Sequence, residues 1–268
     1  MAVPHPTAEN VAVVTGASSG IGTALAEDLA ARGYNLIIVA RRVEVLEGIA
    51  TRLHDKYGVT VEVRGIDLAD REQRKPLADE LSSKNVAILC LNAGIATFGP
   101  LERLDPDYER FIVDLNAVSV HDLALAALPG MVERGGGGIL MTGSAAGNMP
   151  IPNNATYAAT KAFVNSFSES LRGEVKSRGI HVTLLAPGPV RLDAPEPEDA
   201  SLVDRVVPDF LWIDTKYTAR LSIDGLFRNK MRVVPGVLSK AMSAAGQYSP
   251  RGVMAPIVGS IYKKLGGE

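Results

Sequence analysis

In Tyr157-Ala158-Ala159-Thr160-Lys161 a phenol and an amine stand four residues apart, a spacing that puts both on one face of a helix. A phenol with its ordinary pKa of about 10 is a poor acid and a poor base near neutrality. A lysine ammonium beside it favours the phenolate and brings the group into a range suited to general acid–base catalysis. The same spacing also arises on any solvated helix face, so the pair takes its meaning from its surroundings.

Four other stretches carry chemistry. Thr15-Gly16-Ala17-Ser18-Ser19-Gly20-Ile21-Gly22 joins an apolar run to a helical pattern. Glycines there allow a tight turn and close approach of backbone to a pyrophosphate, which sits among the unpaired N–H groups of a helix N-terminus. The spacing is Gly-x3-Gly-x-Gly, a variant of the common dinucleotide fingerprint. About 20 residues on, where an acid would take the ribose 2′-hydroxyl of NAD, stand Arg41 and Arg42. A guanidinium pair suits a 2′-phosphate and predicts NADP(H), although arginines also begin solvated helices. Asp67-Leu68 and Asn92-Ala93-Gly94 follow two further apolar runs and suit the adenine and the cofactor groove, or simply a cap and a turn.

The elements that must position these residues alternate. Val11 to Thr15, Leu36 to Ala40, Val59 to Gly65, Val86 to Leu91, Gly138 to Thr142, His181 to Leu185 and a short Met231 to Val234 read as strands. Ile21 to Arg32, Val43 to Tyr57, Arg71 to Ser82, Asp107 to Glu133, Ala155 to Arg178 and Ile213 to Arg228 read as helices. Such alternation predicts an α/β chain: a doubly wound, Rossmann-type parallel sheet of seven strands with helices on both faces, binding its ligand at the carboxyl ends of the strands. With 268 residues and no dividing linker, residues 1–268 form one expected domain, 189–212 a substrate lid and 235–268 a C-terminal extension.

Composition excludes some functions. The net charge is −2 and basic residues are scattered, so nucleic acid is not an expected partner. The single cysteine, Cys90, lies in an apolar run and reads as a buried, inert thiol. No motif for a metal is present. The first ten residues lack a signal-peptide pattern and no apolar run approaches a membrane span, which predicts a cytoplasmic protein.

Thr142-Gly143-Ser144 ends a strand, Tyr157 follows thirteen residues later, and Asn116 precedes that strand in a helix. With the glycine turn, Asn92-Ala93-Gly94, Lys161 and Pro187-Gly188, these residues have the order and spacing of the short-chain dehydrogenase/reductase family, which the chain resembles from Val11 to Val190. The resemblance implies hydride transfer with NAD(P). Tyr157 would be the acid–base residue, Ser144 would polarise the substrate carbonyl, and Lys161 would lower the tyrosine pKa and hold the nicotinamide ribose. Asn116 would hold a water that relays protons to Lys161. Pro187, Gly188 and Val190 would border the nicotinamide. The chain departs from the family pattern at Leu91, where an asparagine is usual, and at Leu192, where a threonine that helps bind the carboxamide is usual; Asp193 is an alternative partner there. The family also implies a homo-oligomer, dimer or tetramer, pairing the helices Asp107 to Glu133 and Ala155 to Arg178.

The substrate is expected to be a hydrophobic small molecule or a lipid, because residues 189–212 and the tail are rich in apolar and Met side chains; these could equally form core or a subunit interface. Ser144 to Asn148, Leu202 to Trp212 and Arg228 to Gly236 further resemble the mycolate reductases of mycobacteria and corynebacteria. That resemblance implies a 3-oxo lipid substrate, a place at the inner face of the plasma membrane, and headgroup contact through Tyr262-Lys263-Lys264. Two other readings stand beside it. Gly16-Ala17-Ser18-Ser19-Gly20 also fits a hydrolase nucleophile elbow, but it occupies the first strand, and the four histidines offer no late partner with an acid before it. A non-catalytic NADPH-binding regulator is the other, although such proteins usually lose the tyrosine or lysine kept here.

Overall fold

A computed structural model describes residues 3–188, 190–191, 212–236, 239–241 and 243–244. Seven strands form one sheet in the order β3-β2-β1-β4-β5-β6-β7, all pairs parallel. They are β1 Val11–Thr15, β2 Asn35–Ala40, β3 Val61–Gly65, β4 Val86–Leu91, β5 Gly137–Thr142, β6 Ile180–Leu185 and β7 Arg232–Val233. The order reverses between β1 and β4, which opens the crevice at the carboxyl ends where such sheets bind ligands.

The strands are nearly continuous runs of Val, Ile and Leu because both faces are covered. Leu36 and Ile38 belong to one buried cluster and Ile37 and Val39 to the other, so successive side chains feed opposite layers. Helices α1 (Gly20–Ala31), α2 (Val43–Tyr57) and α7 (Thr215–Phe227) cover one layer; α3 (Arg71–Ser83), α5 (Ser119–Arg134) and α6 (Ala155–Val175) cover the other. The edge strand β3 is the polar one, with Arg64 ion-paired to Glu62 and Glu80. Cys90 is fully buried, which pushes its thiol pKa up and makes it inert.

Two expectations need correction. The helix predicted over Asp107 to Glu133 is three segments: α4 (Pro106–Val113), a π turn (Asp114–Val118) and α5. At this turn the Ser119 N–H reaches back to the Asp114 carbonyl, and the Ser119 hydroxyl takes the Leu115 carbonyl at 2.6 Å in its place. The same stretch, Pro106–Arg134, is also long and apolar enough to cross a membrane, contrary to the sequence reading; half of its most apolar window is buried in the fold. Leu115, Val120, Leu123, Ala127 and Met131 of this stretch are core while Val113 and Leu125 are exposed, and the polar residues between them hide the run from inspection. The predicted lid and C-terminal extension fall largely outside the described residues, as do Leu192, Asp193 and the Lys263-Lys264 ending.

Candidate active site

The glycine turn leaves β1 with Gly16 at φ +67° and enters α1 with Gly20 at φ +53°, both in the region that favours glycine. A side chain at Gly22 would lie 2.0 Å from the Gly16 carbonyl oxygen, and one at Gly16 would lie 2.8 Å from the Ala93 Cα. The turn is therefore folded onto itself and onto the end of β4. Ser19 stands at the N-cap of α1 in extended conformation and places no side-chain cap over the first turn, where Ile21 and Gly22 lie. The Ser19 side chain thus leaves the first helical N–H groups of α1 to other acceptors, as an anion site requires.

Arg42 binds this turn directly, donating to the Ser18 carbonyl at 3.1 Å and to the Ser18 hydroxyl at 3.3 Å. Arg41 lies over the Phe111 ring at 5.5 Å, and both guanidinium-bearing residues are exposed. At the end of β3, Asp67 accepts the Ala69 N–H at 3.0 Å, while Leu68 is a core side chain at 2 % exposure. What Leu68 offers a ligand is therefore backbone. Its carbonyl is held at 2.6 Å by the buried Arg74, which is ion-paired with Asp122 at 2.8 Å. Arg74 escaped the sequence reading, although it shares a helix face with Leu77 and Leu81.

Asn92 is spent on structure. Its side chain donates to the Thr15 carbonyl at 3.2 Å and accepts from the Thr142 hydroxyl at 3.1 Å, and the N–H groups of Asn92 and Ala93 both donate to the Thr15 hydroxyl. One amide thereby ties the carboxyl ends of β1, β4 and β5 into a rigid floor for the crevice.

Beside that floor lie the chemistry-bearing residues. Lys161 is 4 % exposed; its Nζ donates to the Thr142 carbonyl at 2.8 Å and lies 5.7 Å from the centre of the Tyr157 ring. Burial pulls its pKa down to about 8. Ser144 continues from Thr142 in extended conformation, and its hydroxyl oxygen accepts the Ala146 N–H at 3.1 Å. Tyr157 is half-buried in the first turn of α6. Asn116 is fully buried in the π turn; its amide exchanges bonds with both backbone groups of Ile95, at 3.0 and 2.8 Å, and donates to the Thr160 hydroxyl at 3.2 Å. A side chain at Gly94 would meet Asn116 Oδ1 and Lys161 Nζ, each at 3.1 Å, so Gly94 keeps open a space that both polar atoms face.

The β6 end closes the site. The Pro187 carbonyl accepts the Ala145 N–H at 3.1 Å, Gly188 packs on Ser239, and Val190 bridges to Ile213. An apolar groove of about 440 Å³ runs between Gly147–Pro152 and the α6 face formed by Ala155, Ala158 and Ala162. The structure thus brings together the ends of β1, β4, β5 and β6 with one face of α6. It places Arg41, Arg42, Asp67 and Leu68 at the ends of β2 and β3. An uncapped helix start, a glycine turn and a guanidinium pair fit an extended anionic dinucleotide.

The sequence profile of the short chain dehydrogenase family matches residues 10–201. Over 180 residues the chain is 36 % identical to a very-long-chain 3-oxoacyl-CoA reductase of Bos taurus, a match covering 66 % of this chain and 58 % of that protein. The chain thus spans less than two thirds of the length of the curated relatives it matches. It is 37 % identical over 179 residues to the inactive hydroxysteroid dehydrogenase-like protein 1 of Homo sapiens, covering 66 % of this chain and 54 % of that one. Among solved structures, a short-chain dehydrogenase from Sphingobium yanoikuyae in complex with NADPH superposes with a TM-score of 0.81 at 30 % identity, covering 91 % of this chain and 94 % of that one. With the fold, the strand-end motifs and the matched profile in agreement, the chain belongs to the short-chain dehydrogenase family.

Proposed function

We propose that the protein is an NADPH-dependent oxidoreductase that reduces the 3-oxo group of a long-chain acyl substrate to an alcohol, with Tyr157 as general acid. The observation that carries this reading is the seating of Lys161 on the Thr142 carbonyl, which sets the α6 face bearing Tyr157 against the strand end bearing Ser144. The glycine turn, Ser18, Ser19 and the start of α1 would hold the pyrophosphate, Arg41 and Arg42 the 2′-phosphate, and Asp67 the adenine. When bound, NADPH supplies the hydride that reduces the carbonyl carbon.

The chain's own residues handle the oxygen and the proton. Ser144 accepts from Ala146 and so keeps its own proton to donate to the carbonyl oxygen, where negative charge builds. Tyr157 holds the proton that this oxygen takes up. The Lys161 ammonium, close and buried, stabilises the phenolate left behind. We place the relay that reprotonates the pair in the space at Gly94 between Asn116 and Lys161.

Likeness to a protein named as inactive means that identity alone is silent on turnover. The joint presence of Ser144, Tyr157 and Lys161 favours catalysis over cofactor binding alone. A long acyl substrate is supported by the names of the relatives and by the apolar groove beside the segment that follows Ser144. Within that class, the likeness to mycolate reductases favours an α-branched 3-oxo precursor of a mycolic acid, met in the cytoplasm at the inner face of the plasma membrane. Exposed Leu125 and Phe163 on α5 and α6 support a homo-oligomer that pairs these helices.

The test is NADPH oxidation with linear and α-alkyl-branched 3-oxoacyl thioesters of increasing chain length. Turnover efficiency that climbs with length, and is higher for the branched series, is expected. A flat response removes the lipid and leaves a general carbonyl reductase; equal use of both series removes the mycolate precursor.

A further inference from the structure

We infer that Asn165 is a positioning residue for Ser144, an inference that rests on the proposed role of Ser144 as carbonyl donor. Asn165 is 4 % exposed and stands one helical turn beyond Lys161 on α6, so that Tyr157, Lys161 and Asn165 rise along one face. Its amide grips the backbone of Ser144 on both sides: Nδ2 donates to the Ser144 carbonyl at 3.0 Å, and Oδ1 accepts the Ser144 N–H at 3.4 Å. The other Nδ2 proton goes to Asn148 Oδ1 at 3.0 Å.

The local backbone is built around this amide. A side chain at Gly143 would lie 2.0 Å from Asn165 Oδ1, so glycine at 143 is what lets the strand end fold over it. Lys161 holds the carbonyl of Thr142 and Asn165 holds both backbone groups of Ser144. Successive turns of α6 therefore grip alternate residues of the β5 end, and Tyr157 on the turn before completes the row.

Asn148 anchors the far side. Its Nδ2 donates to the Ser243 hydroxyl at 3.0 Å; that hydroxyl also accepts from Arg232 at 3.1 Å, and Arg232 is ion-paired with Glu169 at 2.8 Å. Glu169 lies one turn beyond Asn165, so the chain of bonds leaves α6 and returns to it. The amide orients Ser144 through its backbone, with no contact to the serine hydroxyl among the described bonds. Its loss should disturb the direction of the hydroxyl rather than its chemistry.

The test is a double-mutant cycle on Ser144→Ala and Asn165→Leu in the full chain, assayed by NADPH oxidation with a long-chain 3-oxoacyl-CoA. Leucine is similar in size and makes none of the three bonds. Asn165→Leu is expected to lower kcat roughly 10- to 100-fold, with a much smaller change in KM, by misplacing a catalytic donor. In the Ser144→Ala background the same substitution should cost nothing more. Losses that multiply, or a wild-type kcat in Asn165→Leu, overturn the positioning role. If losses multiply while Ser144→Ala alone is impaired, the role of Ser144 stands and only that of Asn165 falls. A wild-type kcat in Ser144→Ala overturns both. If Asn165→Leu does not fold, Asn148→Ala, which removes one partner of the amide, goes through the same cycle. A smaller loss that vanishes without the Ser144 hydroxyl is expected, and one that persists overturns the inference.

Discussion

Lys161 Nζ donates to the carbonyl oxygen of Thr142 at 2.8 Å, so the amine that lies 5.7 Å from the Tyr157 ring is moored to the strand end that leads to Ser144. With the two bonds from Asn165 to the Ser144 backbone, this bond fixes the α6 face bearing Tyr157 against the β5 end.

The buried amine makes stability depend on pH. Its pKa falls from 10.5 to about 8 on folding, so between these values the unfolded chain binds more protons than the folded one. The burial penalty is full below about pH 8 and relieved as pH rises toward 10.5. Relative to Lys161→Met, which cannot titrate, the wild-type apoprotein should gain on the order of 2 kcal/mol of stability between pH 7 and pH 10. Urea unfolding of both proteins at the two pH values reads this drift; a constant difference contradicts it.

Tyr157→Phe keeps the ring and removes the hydroxyl. Turnover should fall at least about 100-fold, as expected for loss of a general acid, while NADPH fluorescence on binding is retained. A milder loss would mean that another group supplies the proton.

The two arginines should separate. Arg41 contacts Phe111 and no part of the glycine turn among the described bonds, so Arg41→Asp should raise the KM for NADPH about tenfold or more and leave that for NADH nearly unchanged. Arg42 holds Ser18, in the turn proposed to take the pyrophosphate common to both cofactors, so Arg42→Ala should raise both constants. Parallel effects in Arg41→Asp would place the 2′-phosphate elsewhere.

Gly22→Ala sets a Cβ 2.0 Å from the Gly16 carbonyl oxygen and 2.8 Å from the Asn92 amide nitrogen. Neither neighbour can yield without moving the floor of the crevice. The cost should be about 1–3 kcal/mol in stability together with loss of measurable NADPH binding, followed by thermal melts and fluorescence titration. Full cofactor affinity in a stable variant would show that the turn has slack.

The strand and helix pattern was readable because buried parallel strands are continuous apolar runs and their helices are amphipathic. Val11–Thr15, Val43–Tyr57 and Val86–Leu91 match the sequence reading residue for residue. The π turn was not readable, since its Asp114-Leu115-Asn116-Ala117-Val118 has the same period and propensity as the helix around it. A local shift of the hydrogen-bond ladder by one residue, with the Ser119 hydroxyl taking up the Leu115 carbonyl, distinguishes the two.

By itself the sequence determined which residues reach the carboxyl edge. In a parallel sheet every strand exits on the same side, so Gly16, Asn92, Thr142 and Pro187 had to gather there once the alternation was recognised. What those residues do on arrival was decided by tertiary structure. Asn92 spends its amide on Thr15 and Thr142, Asn116 on Ile95 and Thr160, Arg74 on Leu68, and Asn165 on Ser144. Most of these partners are distant in sequence. No local pattern encodes them, because a side-chain amide has the same four bonding positions wherever it stands, and only packing selects which groups fill them.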